Sequence, residues 1–214
     1  MSKRDQPLGK ICAVNASLSL ILLDSEQIPE WEPMDEDPEG DDLGGHPQKV
    51  IELYEDEDFV SAELDVGKGK ALALNLEGMT GEAELRRLED GSLALLEPPW
   101  DWWTDEDNYG ERKDEVARLF KDALSGAPKA GKEKRAGKVL VSSGKLVVFD
   151  SNESLESASK AAKKATNGKV VGFGDNDGGI VLGLTPGQYV IWRRVIEPKW
   201  ADDQPLVIAY LRRA

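Results

Sequence analysis

The sequence predicts a β-rich α+β protein: two strand-dominated halves, with a possible internal duplication, and two amphipathic helices. Three observations carry this expectation. Short apolar or alternating runs recur between turn residues along the chain. Only two stretches show the i, i+3, i+4 spacing of a helix that buries one face. Pieces of the first half also reappear in the second.

Taken in order, residues 11–14 and 18–23 are apolar and suited to strands. The Pro-rich stretch 29–47 follows. Residues 30–42 of it hold eight acids and no base, and with little apolar content and no period they read as a loop. Residues 50–54 and 59–66 read as strands, and 70–76 places Leu72, Leu74 and Leu76 on one face. Residues 82–88 and 92–96 flank Glu89-Asp90-Gly91, a hairpin turn. Residues 111–125 form the first helix, with Val116, Leu119, Phe120, Ala123 and Leu124 on its apolar stripe and Gly126 placed to end it. The Gly, Ala and Lys content of residues 126–137 predicts a flexible basic linker.

Beyond the linker, residues 138–142 and 145–149 are expected to form a hairpin around Ser143-Gly144. Residues 152–167 read as the second helix, with Ser151 as N-cap, Gly168 closing it, and a thin face of Leu155, Ala158, Ala162 and Ala165. Residues 169–174 and 180–184 flank Asp175-Asn176-Asp177-Gly178-Gly179, a turn that lacks the further acids of a calcium loop. Thr185-Pro186-Gly187-Gln188 fits a type II turn. Strands at 189–196 and 206–211 complete the chain. The organisation is thus an acidic β-rich half (1–110), a helix and basic linker (111–137), and a second β-rich half with one helix (138–214).

The internal repeat is carried by two matches. Leu20-Ile21-Leu22-Leu23-Asp24-Ser25 is similar to Leu146-Val147-Val148-Phe149-Asp150-Ser151. Gly69-Lys70-Ala71-Leu72-Ala73-Leu74 is similar to Gly179-Ile180-Val181-Leu182-Gly183-Leu184. Two related halves with the acidic loop inserted in the first would produce this pattern, and so would the general likeness of short apolar strands.

Charge and composition narrow the function. The 214 residues carry 41 acids against 27 Lys and Arg, a formal charge of -14. Residues 1–110 hold 28 acids and 8 bases, whereas 111–214 hold 13 acids and 19 bases. Like charge repels phosphate, so nucleic-acid binding is disfavoured. One anionic half can instead steer a cationic partner toward it. One Cys and one His leave no disulfide framework and no ordinary zinc site, and no metal or cofactor is expected. No apolar run approaches the roughly 18 residues of a membrane span, and no signal-peptide core follows the N-terminus, so a cytoplasmic protein is expected.

The sharpest local feature is Pro98 to Tyr109, where Trp100, Trp102 and Trp103 are flanked by Asp101, Asp105, Glu106 and Asp107. Tryptophan supplies rigid contact area at interfaces, and carboxylates beside it can meet Lys or Arg of a partner. A single indole is more readily explained as core. Three near-consecutive ones cannot all be buried on one side of a strand. Trp31, between Glu30 and Glu32 in the acidic loop, is expected either on a solvated loop or in a second anionic lobe of the same face. These residues form the candidate partner-binding set.

Catalytic constellations are weak. His46, between Gly45 and Pro47, reads as a loop residue, so no Ser/His/Asp set assembles around it. Cys12 reads as buried in a strand. Gly67-Lys68-Gly69-Lys70 lacks the spacing of a phosphate-binding loop. Paired carboxylates with sugar-stacking tryptophans keep a carbohydrate-active or carbohydrate-binding protein as the alternative.

A strand ending in LILLD, a nearby Trp, VGKGKALAL, a Trp-Trp pair, LVVFDS and a closing LTPGQYVI strand together give a pattern that resembles the immunity protein 21 family of bacterial polymorphic toxin systems. The positions are Leu20 to Asp24, Trp31, Val66 to Leu74, Trp102, Trp103, Phe149, Asp150, Ser151, Pro186, Gly187 and Tyr189. The chain departs from the family in having Asn15-Ala16-Ser17 where a Gly-Gly-Pro precedes the first strand, and in lacking a Tyr-Asp-Arg-Ala-Cys-like stretch before VGKGKAL. The resemblance implies an α+β, non-catalytic inhibitor that binds a cognate protein toxin with a basic surface.

Overall fold

The computed structural model describes residues 8–12, 19–33, 45–54, 59–76, 81–97, 112–124, 134–174, 177–198 and 205–214. Among them are twelve strands: β1 (Gly9–Cys12), β2 (Ser19–Asp24), β3 (Ser61–Val66), β4 (Gly69–Asn75), β5 (Glu82–Arg87), β6 (Leu93–Glu97), β7 (Lys134–Val141), β8 (Lys145–Asp150), β9 (Val170–Phe173), β10 (Gly179–Gly183), β11 (Gly187–Ile196) and β12 (Leu206–Arg213). Three α-helices, α1 (Gly45–Leu53), α2 (Lys113–Leu124) and α3 (Ala158–Lys164), and a 3-10 turn at Ser25–Glu30 accompany them. The protein is α+β, as its sequence predicts.

The strands form two six-stranded antiparallel sheets, ordered β1-β5-β6-β12-β11-β7 and β3-β4-β2-β8-β10-β9. Their facing sides share one core, built from alternate residues such as Leu20 and Leu22, Leu93 and Leu95, Leu146 and Val148, and Val207 and Ala209. The intervening residues of the central strands are apolar as well. Ile21, Leu23, Val147 and Phe149 face the 3-10 turn, α1 and α3, while Ala94, Leu96, Ile208 and Tyr210 face α2. The molecule therefore has four layers, helix, sheet, sheet, helix. This accounts for the unbroken apolar runs of β2, β8 and β12, since both faces of those strands are buried.

Each sheet takes three strands from each half, in mirrored order. β1 corresponds to β7, β2 to β8, α1 to α3, β3 to β9, β4 to β10, β5 to β11 and β6 to β12. The register obeys the same two-fold relation. β2 and β8 pair with Leu22 opposite Val148, and the pairs Leu20–Asp150 and Asp24–Leu146 lie symmetrically on either side. LILLDS and LVVFDS are therefore structural equivalents. In the second match the correspondence moves by two residues. Leu22 pairs with Leu72 and Val148 with Ile180, so Leu72 corresponds to Ile180 rather than Leu182. Gly9 and Gly137 also correspond. A Cβ on Gly137 would stand 2.6 Å from Leu72, and one on Gly9 would stand 2.9 Å from Val170 and 3.4 Å from Ile180. Each glycine lets an edge strand approach the opposite sheet. The boundary between the halves thus divides two repeats that share both sheets and the central core.

Several local expectations change. Residues 50–54 are not a strand: Gly45–Leu53 is helical, with Pro47 tolerated in the first turn and His46, Pro47 and Val50 turned inward. Residues 134–137, expected in the linker, belong to β7; residues 125–133 lie outside the described residues. β7 and β8 do not form a hairpin, because β7 pairs with β11 and β8 with β2 and β10. The turn at Ser142–Gly144 carries the chain from one sheet to the other. Gly187 has φ +155° and already pairs with Val141 as the first residue of β11, unlike the φ of about +80° of a type II turn. The second helix is shorter than expected, since the Asp150 carboxylate accepts Asn152 N–H at 3.0 Å and Glu153 N–H bonds Asp150 O at 2.8 Å. Those bonds make residues 151–153 a turn, and Ser157 stands at the helix start.

Candidate binding surface

The Trp31 region is built from the end of β2. Asp24 Oδ1 accepts Glu26 N–H at 2.9 Å, which starts the 3-10 turn and delivers Trp31 beneath α1. The indole is 6% exposed. It stacks on His46 with ring centroids 4.7 Å apart and meets the edge of Phe149 at 5.0 Å. Trp31 is thus a core anchor, and its expected place in a partner-binding lobe is corrected: its contact area is already spent on His46 and Phe149. Glu30 and Glu32 beside it remain exposed.

His46 is likewise not a loop residue. Its Nδ1 accepts the Glu32 backbone N–H at 2.9 Å, so the proton resides on Nε2, which donates to Asp65 O at 3.0 Å. Both ring nitrogens are used and the ring is buried. The imidazole braces the 3-10 turn against β3. The Asp65 carboxylate pairs with Lys70 at the rim and is held below the ordinary carboxylate range by that hydrogen bond.

A second set of groups lies at the opposite end of the sandwich, where β2 and β4 begin and end at Ser19 and Asn75, and β6 ends at Glu97. Tyr54, the residue after α1, is 41% exposed and shares a 2.6 Å hydroxyl–hydroxyl bond with Ser19. Glu97 is 1% exposed and accepts Gly81 N–H at 2.7 Å. Asp150 is fully buried at the end of β8. Burial pushes the Tyr54 phenol above its ordinary range, and the Asp150 and Glu97 carboxylates add to this against the opposing bond from Ser19. Cys12 N–H bonds Asp177 O at 3.0 Å near the same end. Cys12 is half-buried rather than buried. Its thiol is pushed up by desolvation, then by Glu82 and Asp177, which keeps it protonated and weakly nucleophilic.

This end offers carboxylates and hydroxyls that accept hydrogen bonds and attract cations. Among the described residues, no group of three His, Cys, Asp or Glu is placed to hold a metal ion, and no helix is long and apolar enough to cross a membrane.

Trp100, Asp101, Trp102, Trp103, Asp105, Glu106 and Asp107 lie outside the described residues. Their nearest described neighbours in the chain are Glu97, at the end of β6, and Arg112, just before α2. α2 covers the outer face of the sheet containing β6, whereas Trp31 packs on the outer face of the other sheet. Trp31 and α2, the helix that follows the tryptophan cluster in the chain, are therefore on different sides of the molecule. The buried pair Asp24 and Asp150 escaped the sequence reading as structural carboxylates. The signal was there: both follow an apolar run and precede Ser.

Comparison of the chain with protein-family models, with curated proteins and with solved structures finds no match.

Proposed function

We propose that the chain is a non-catalytic binding protein of the cytoplasm, an immunity protein that neutralises a cognate bacterial toxin through its acidic end. One observation carries the reading. The strand and helix ends at Ser19, Tyr54, Asn75, Glu97, Asp177 and Leu206 gather at one end of the sandwich. The sequence stretches that continue from this end, residues 55–58, 77–80, 98–111, 175–176 and 199–204, carry thirteen acids against Lys199 alone. They also contain Trp100, Trp102, Trp103 and Trp200, four of the six tryptophans. Acids supply attraction to a basic partner and aromatic residues supply anchors. The resemblance to the immunity protein 21 family points the same way.

The test is co-expression with candidate toxin domains drawn from the genomic neighbourhood of this chain. Growth should be restored and the two proteins should co-purify. Undiminished toxicity with no complex would contradict the reading.

A further inference from the structure

At the other end of the sandwich, where the chain crosses from β10 to β11, a groove of about 440 Å³ opens between the two sheets. Small-molecule sites begin at about 300 Å³. Arg87, Arg212 and Arg213 line it, together with Ser92, Asn167 and Thr185. Two guanidinium groups at one concavity, Arg87 in line with inward-facing Leu85 and Arg213 in line with inward-facing Leu211, are unexpected in a chain of formal charge -14. We propose that this groove is a binding site for a small molecule bearing a doubly charged oxyanion, either a phosphoryl group or paired carboxylates. The site is independent of the toxin-binding reading.

The two outer arginines approach from different elements. Arg87, at the end of β5, is exposed, and its Nη2 lies 3.5 Å from where a Cβ on Gly168 would stand. Gly168 takes φ +79°, and the guanidinium reaches it across the mouth of the groove. Arg213, at the end of β12, lies over Gly187 and donates from Nη2 to Pro186 O at 2.9 Å. That bond fixes one arm of the fork and leaves the charge uncompensated. Among the described residues no carboxylate forms an ion pair with Arg87 or Arg213. The one acid in the lining, Asp90, turns its carboxylate to Ser92 N–H and Oγ–H within its own turn. The Tyr189 hydroxyl is likewise occupied, donating to Thr185 O at 2.8 Å. Guanidinium forks match the geometry of phosphate and carboxylate oxygens, and the Thr185 hydroxyl and Asn167 amide in the lining supply further donors.

The internal repeat sharpens the contrast. At the other end, Glu97 closes the corresponding crossing from β4 to β5 by accepting Gly81 N–H. Here Arg213 stands beside Gly187 at the start of β11. The two corresponding crossings of one repeated frame thus carry side chains of opposite charge.

Titration calorimetry with pyrophosphate and with citrate at low salt tests the proposal. At least one of them should bind with a sub-millimolar dissociation constant, and Arg87→Gln and Arg213→Gln should each weaken that binding by about tenfold or more. Thermal melts without anion check that the variants remain folded, and exposed Arg87 is the safer of the two. Whichever probe binds identifies the oxyanion class. The absence of heat from both probes up to 10-fold above about 1 mM, or binding unchanged in the folded Arg87→Gln protein, would overturn the proposal.

Discussion

Single residues decide whether the tryptophans belong to the core or to a surface. Trp31 stacks on His46 and abuts Phe149, so Trp31→Ala should cost about 3–5 kcal/mol of stability while leaving the partner affinity of the folded protein unchanged. Paired chemical denaturation and binding measurements check this, and a loss of affinity without a loss of stability would contradict it. His46→Ala should destabilise by about 1–3 kcal/mol, because the Glu32 N–H and the Asp65 carbonyl lose their buried partner. Tyr54 supplies a pH test. Its phenol is pushed up by burial, so the folded state holds the proton more tightly than the unfolded chain. This contribution to stability is complete below the ordinary phenol value of about 10 and is lost as the pH rises through the folded-state value. The difference between ultraviolet titrations of the native protein and Tyr54→Phe should titrate above about 10; a difference at or below it would contradict the placement.

Among the elements, strands were legible where the pattern was local. The alternation in residues 70–76 located β4, and Glu89-Asp90-Gly91 located the β5–β6 hairpin, where Gly91 has φ +82°. Sheet membership was not local. Residues 138–142 and 145–149 look like two arms of a hairpin, yet each strand finds better burial in a different sheet, and no short window of sequence contains that information. Residues 50–54 misled for a related reason: a short apolar run fits a strand or one face of a helix equally well, and Gly45, His46 and Pro47 fix the helix from outside the run. Trp31 was ambiguous because the residues that bury it, His46 and Phe149, are distant in sequence. The corresponding glycines test the shared frame. Gly137→Val should press on Leu72, and Gly9→Val on Val170 and Ile180, each destabilising by about 1–3 kcal/mol. If either variant melted like the native protein, the close approach of the edge strands would be refuted.

At the scale of the whole molecule, the repeated frame holds different groups at its two ends. Glu97, Asp150 and Tyr54 mark one end; Arg87, Arg212 and Arg213 line a groove at the other. The overall negative charge was legible from composition, and the skew between halves was legible as well. Their distribution in space was not, because the two halves interleave in both sheets and charge excess in sequence does not map onto two separate lobes.

The association rate with the proposed toxin partner, measured by stopped flow as ionic strength rises from about 0.02 to 0.3 M, tests the central claim most directly. Over that range the screening length shortens from about 20 to 6 Å, so attraction between an acidic end and a basic partner should fade. The account predicts that the rate falls by about tenfold or more, with a smaller change in the dissociation rate. An association rate that stays flat across the same range would contradict electrostatic capture by the acidic end.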